Sequence, residues 1–193
     1  MLDYVLSKEL LSLAELSHLR TEAMRLFEDC LTNNDDTALI AFIERQIMQD
    51  PPPINLLRDI ADDLQQRMLS LREHHFDTRD RVVSTLSEGY NIDITPLTPP
   101  AKLAQYHTLK IDEVMHYIQQ QITDLHSDEL AILQKLITAS LETAGQLHQD
   151  IQMTTQLHSM VLDWMEGISS LTVRENWPNR EAAQFGHSNH IQH

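Results

Sequence analysis

The sequence predicts an all-α protein, an elongated bundle of about five helices with coiled-coil-like packing and a long C-terminal helix. Three observations predict it. Helix-breaking residues are gathered into a few places: the chain has only four glycines, the first at Gly89, and six of its seven prolines fall in two knots, Pro51-Pro52-Pro53 and Pro96, Pro99 and Pro100. A proline in a helix interior costs about 3 kcal/mol and a glycine about 1, so the intervening stretches read as long helices. Apolar residues between the breaks recur at steps of three and four. Aromatic residues make up only 5% of the chain, which leaves Leu, Ile, Met and Ala to build a core suited to helix-on-helix packing.

The first helix is expected from Ser7 to about Thr32, with Ser7 as its cap and an apolar face of Leu6, Leu10, Leu13, Leu16, Leu19, Ala23, Phe27 and Leu31. Asn33-Asn34-Asp35-Asp36 reads as a loop, and Asp36 is a candidate N-cap for a second helix, Thr37 to Gln49, which the three prolines end. The third helix is expected over Asn55–Glu88. Its stripe is Leu57, Ala61, Leu64, Met68, Leu71, His75, Thr78 and Val82, at heptad spacing, with Gly89 as C-cap. Residues 91–100 form a linker in which Ile92 and Ile94 point to an extended path across a surface.

A fourth helix, Ala101 to His126, carries Ala104, His107, Ile111, Val114, Ile118 and Leu125 along one stripe. Ser127-Asp128-Glu129 resembles a cap followed by first-turn acids, which favours a turn there over one unbroken helix. From Leu130 the chain keeps a heptad. Position a holds Leu130, Ile137, Ala144, Ile151, His158, Met165 and Thr172, and position d holds Leu133, Ser140, Leu147, Thr154, Val161 and Ile168. The expected organisation is an N-terminal lobe at 1–90, the linker at 91–100, a helical hairpin at 101–172 and a poorly ordered tail at 173–193.

Charge and composition exclude several functions. The net charge of −15, from 14 basic and 29 acidic residues, repels nucleic acid and anionic membrane and suits a basic protein partner. One cysteine, Cys30, permits neither an internal disulfide framework nor a cysteine-based zinc site, and reads as a reducing, cytoplasmic setting. Glu28 and Asp29 beside it disfavour a reactive thiolate. No signal peptide and no membrane span is expected. There is no Gly-x-Ser-x-Gly and no phosphate-cradling glycine loop, so the chain reads as a non-enzyme without a cofactor.

Eleven histidines are the oddest feature of the composition. His187, His190 and His193 fall in the tail and read as solvated. Two Glu-x-x-His sequences, Glu15 to His18 and Glu113 to His116, imitate di-iron motifs, but helical geometry places both on polar faces. The seam histidines matter more. His75 at an a position lies near Thr78, His158 at an a position lies near Thr154, and His107 falls on the fourth stripe. Antiparallel packing would let His75 and His158 share one polar layer that fixes register. A pH-sensing layer is a second reading, and a metal or haem site on His75, His107 and His158 a third.

The expected function is a non-enzymatic interaction module: an adaptor, a regulator or an export-type chaperone. The alternative is a helical enzyme or sensor holding metal or haem on the seam histidines. An unbroken fifth helix is about 60 Å long at about 1.5 Å per residue, more than helices one and two can cover. Met153, Met160, Trp164 and Met165 cluster toward its far end as a candidate protein-binding surface, for a basic partner or a second copy in a homodimer.

Overall fold

The computed structural model describes residues 12–97 and 106–176, with side chains as far as residue 170. Five α-helices account for most of it: α1 Leu13–Asn33, α2 Thr37–Ile47, α3 Ile54–Tyr90, α4 Ile111–Gln121 and α5 Ser127–Asn176. A 3₁₀ turn at 106–108 precedes α4, and no strand occurs among the described residues. The protein is an all-α bundle with a long C-terminal helix.

Packing divides the chain into two compact units, the first of them discontinuous in sequence. One joins the residues up to Leu64 to those from Gln156 onward, and the other runs from Gln65 to Thr155. Helices α3 and α5 contribute to both. This division follows different lines from the lobes expected at 1–90 and 101–172. The reason lies in the linker: Ile92 and Ile94 are each 1% exposed and belong to a core with Val82, Leu86, Val114, Ile118, Leu133 and Ile137.

In the first unit, α1 starts at Leu13 behind the N-cap Ser12. The Ser12 hydroxyl accepts from the Glu15 amide, and the Glu15 carboxylate accepts from the Ser12 amide, the reciprocal arrangement of a capping box. The cap expected at Ser7 lies outside the described residues, and Leu13, expected on the apolar face, is 85% exposed at the helix end. Ala23, Phe27 and Cys30 are buried, as are Leu39, Phe42 and Ile43 of α2, which packs on α1. Leu56, Leu57, Ile60, Ala61 and Leu64 of α3 and Leu157, Val161 and Ile168 of α5 complete the unit's buried apolar set. Arg20 holds Asp63 in a two-pronged ion pair, 2.6 Å on each arm, which ties α1 to α3.

Two local details correct the expected caps. Asp36 makes no side-chain cap bond. Asp35 does the work instead, accepting from the Thr37 amide at 3.0 Å and the Thr37 hydroxyl at 2.6 Å, and these bonds lower its pKa. At the end of α3 the left-handed residue is Asn91, with φ of 55°, and not Gly89. Asparagine visits that region at low cost among side-chain-bearing residues, and here it turns the Ile92 amide back onto the Leu86 carbonyl.

In the second unit, α4 is far shorter than the expected Ala101–His126. It begins at Ile111, and its C-cap Ile122 is already extended, with φ of −130°. The expected turn before Ser127 is present, and the His126 amide donates to the Glu129 carboxylate at 3.1 Å to start α5. The Tyr117 hydroxyl donates to the Asp93 carbonyl at 2.9 Å and pins the linker to α4.

The heptad reading of α3 and α5 holds in outline as far as Ile168, with Leu157 buried outside the a and d positions, and Thr172 lies outside the described side chains. Every d position of α5 from Leu133 to Ile168 is buried, and of the a positions Ile137 and Ala144 are buried while Leu130, Ile151, His158 and Met165 are half-buried. On α3 the whole stripe from Leu57 to Val82 is buried apart from half-buried Met68. Within the second unit, Ser140 bonds to Thr78 and the Thr155 hydroxyl lies 3.2 Å from the Met68 sulfur, so α3 and α5 run antiparallel there.

Candidate functional site

The second unit carries a buried polar layer built from three elements. Thr78 of α3 and Ser140 of α5 are each 9% exposed, and Tyr106 of the 3₁₀ turn is 2% exposed. The Ser140 hydroxyl donates to the Thr78 carbonyl at 3.2 Å. Its single proton is thereby used, so at the 3.0 Å contact between them the Tyr106 hydroxyl is the donor to Ser140. The Thr78 hydroxyl donates to the His74 carbonyl at 2.8 Å. Burial raises the Tyr106 pKa above its ordinary value, which keeps the phenol protonated and donating.

Next to this layer stand three imidazoles. His75 of α3 is 4% exposed, and its buried Nε2 has no hydrogen-bond partner. His107 meets it edge-to-face, with ring centres 5.8 Å apart and planes at 68°. His148 of α5 stacks on His107 at 3.8 Å and 17°. Burial lowers the His75 pKa, and charge on His107 or His148 lowers it further. The neutral ring is therefore the form that suits this position.

The structure brings together His75 and His107 but not through the stripe expected for the latter, because His107 sits in the 3₁₀ turn and not on a helix. His158 does not join the group. The Thr78–Ser140 and Met68–Thr155 contacts bracket His75 and place it opposite the part of α5 between Ser140 and Thr155. His158 lies past that interval, half-buried and in the first unit, and its expected companion Thr154 bonds to the Asp150 carbonyl of its own helix at 2.7 Å. A heptad stripe is unchanged by sliding one helix seven residues, so periodicity could not choose between such pairings.

His148 and Tyr106 escaped the sequence reading. His148 is at position e of the α5 heptad, beside the seam and not in it, and Tyr106 belongs to a turn without periodicity. The adjacency of Tyr106 to His107 was the one available signal.

Metal binding does not follow from the imidazole geometry. A metal lies in the plane of each ring that ligates it, and the nearly parallel planes of His107 and His148 share no near point. Among the described residues no group of three or more His, Cys, Asp or Glu side chains is placed to hold a metal ion. The two Glu-x-x-His motifs are exposed at Glu15, His18, Glu113 and His116, as their helical phase required. Cys30 is buried, and burial outweighs a backbone hydrogen bond with Leu39 to raise its pKa, with the carboxylates of Asp36, Asp35 and Asp29 adding to the rise. The thiolate is disfavoured on both counts.

A groove of about 180 Å³ lies between α3 and α5, with Thr78 and Ser140 of the polar layer in its lining. Arg81 and His74 line it with Thr78 and Thr143, and no carboxylate does.

The four residues expected to form a protein-binding surface are all half-buried. Helical geometry sorts them onto two flanks. Met153, Met160 and Trp164, at i, i+7 and i+11, lie along one side of the buried line through Thr154, Leu157, Val161 and Ile168. Met165 lies on the other side, beside His158 and Leu162, which is 45% exposed.

The fold and these features define an all-α bundle with a polar seam. No helix among the described residues is long and apolar enough to cross a membrane. Comparison with protein-family models, with curated proteins and with solved structures finds no match.

Proposed function

We propose that this chain is a non-enzymatic interaction module that binds a basic segment of another protein along the C-terminal part of α5. One observation carries the reading: Met153, Met160 and Trp164 form a line of large apolar side chains that the bundle covers only in part. Methionine adapts its shape to a partner and tryptophan anchors contacts, so such a line suits recognition better than it suits solvent. Asp163 and Glu166 are exposed beside it, in a chain with 29 acidic against 14 basic residues. That field would draw a cationic partner and steer its approach.

The test is site-specific photo-crosslinking in the native host. A crosslinker at position 160 is expected to give a heterologous adduct that weakens with added salt, while one at exposed Ser169, on the opposite face of α5, gives none. Equal adducts at both positions, or none at 160, would overturn the reading. An adduct of twice the chain's mass would replace the basic partner with a second copy.

A further inference from the structure

We propose that the contact between His75, His107 and His148 is an acid-sensitive latch, which holds the 3₁₀ turn at 106–108 against α3 and α5 near neutral pH and releases it under mild acid. It does not rest on the interaction surface, of which Met160 and Trp164 belong to the other unit and Met153 to this one.

The latch has three parts, each from a different element. His75 is 4% exposed on α3, and its Nε2 lies buried without a hydrogen-bond partner. The ring facing it from the turn is His107, at 5.8 Å, and the ring that sandwiches His107 from α5 is His148, at 3.8 Å. The turn is short, and Tyr106, held through Ser140, is its buried anchor on the same side.

Neutral imidazoles pack here as flat, partly apolar plates. Protonation changes that. Burial opposes a charge on His75, and the groups acting on that charge are two further imidazoles, His107 and His148, with no carboxylate to offset them. On α3 itself the flanking groups are Arg72, Glu73, His74 and Asp77, all exposed, and Arg79, whose guanidinium is bound to Asp80 at 2.6 Å. On α5, Asp150 accepts from Gln146 at 2.9 Å. His107 alone of the three rings belongs to a short turn and not to a long helix, so the turn is the element a charged cluster would expel.

The sign follows from linkage. The His75 pKa is lowered in the folded chain from its ordinary value of 6.5, so the unfolded or opened form binds the proton more readily. The contribution of His75 is complete above pH 6.5 and is lost progressively as pH falls below it. The rest of the chain responds in the opposite sense: with a net charge of −15, mild acid relieves repulsion. A loss of order below pH 6.5 confined to the turn therefore separates the latch from a general charge effect.

Amide hydrogen exchange of the full chain at pH 7.5 and pH 5.5, corrected for intrinsic rates, tests this. The expected result is at least a tenfold loss of protection at residues 106–109 at the lower pH, with α1 and α2 unchanged. His107→Gln together with His148→Gln should abolish most of that loss, and His75→Gln alone should reduce it. If a His75 variant does not fold, the His75 ring resonance of the native chain serves instead. It should titrate below 6.5 and move upward in the His107→Gln, His148→Gln variant. Protection that is equal at both pH values, a His75 resonance that titrates at or above 6.5, or the same pH effect in the double variant would overturn the latch.

Discussion

The two units bury different kinds of core. In the first, the buried side chains of the described residues are apolar apart from Gln46, whose amide oxygen accepts from Gln49 at 2.6 Å. In the second, His75, Thr78, Arg79, Ser140 and Thr154 are buried among the aliphatic residues. A dry core specifies volume and little else, so it tolerates sliding by a heptad. A polar seam specifies register, because a hydroxyl that loses its partner in a low-dielectric interior is costly. The two long helices thus carry stability at one end and alignment at the other.

The largest expected effect tests the dry unit. Phe27→Ala empties a fully buried site on α1 and should lower stability by about 3–5 kcal/mol in urea unfolding followed by circular dichroism. A loss under about 1 kcal/mol would mean that this core is not packed as described. Ser140→Ala comes next. It strands the Tyr106 hydroxyl and removes a second donor from the Thr78 carbonyl, which keeps its intrahelical bond, at about 1–3 kcal/mol. In a double-mutant cycle with Tyr106→Phe the two changes should fall short of additive by about 1 kcal/mol, since the second removes a group already stranded. Full additivity would dissolve the polar layer as a unit.

Smaller effects sharpen the contrast at the surface of the first unit. Ser12→Ala removes the capping box and should cost about 1 kcal/mol, read in the same unfolding experiment. A cycle of Arg20→Ala with Asp63→Ala should give a coupling of about 0.5–1 kcal/mol that shrinks in high salt, because Arg20 is 46% exposed despite its two-pronged geometry. A larger, salt-insensitive coupling would mean that the first unit also relies on a specific polar contact.

Much of the architecture was legible in the order of residues. Proline and glycine placement marks where helices stop, and the heptad stripes name most of what α5 buries but miss Leu56, Ile60, Arg79 and Leu86 of α3. Both are local consequences of backbone geometry. The caps were less legible. Asp35 and Asp36 are neighbours of equal propensity, and only the turn's backbone selects which carboxylate reaches Thr37. The extent of α4 was misread because Ala104, His107 and Ile111 fit a helical stripe, whereas Tyr106 is drawn down onto Ser140 and the chain turns there.

By itself the sequence determined that this protein is helical, where its long helices lie and which face each one buries, because periodicity and breakers act within a few residues. Tertiary structure alone decided which residues meet across the seam. It set His75 against His107 and His148 and left His158 outside, and it made Ile92 and Ile94 core. The physical reason is that a stripe records angle around a helix axis but not distance along it. That distance is settled only when hydroxyls, rings and the linker find partners that satisfy them.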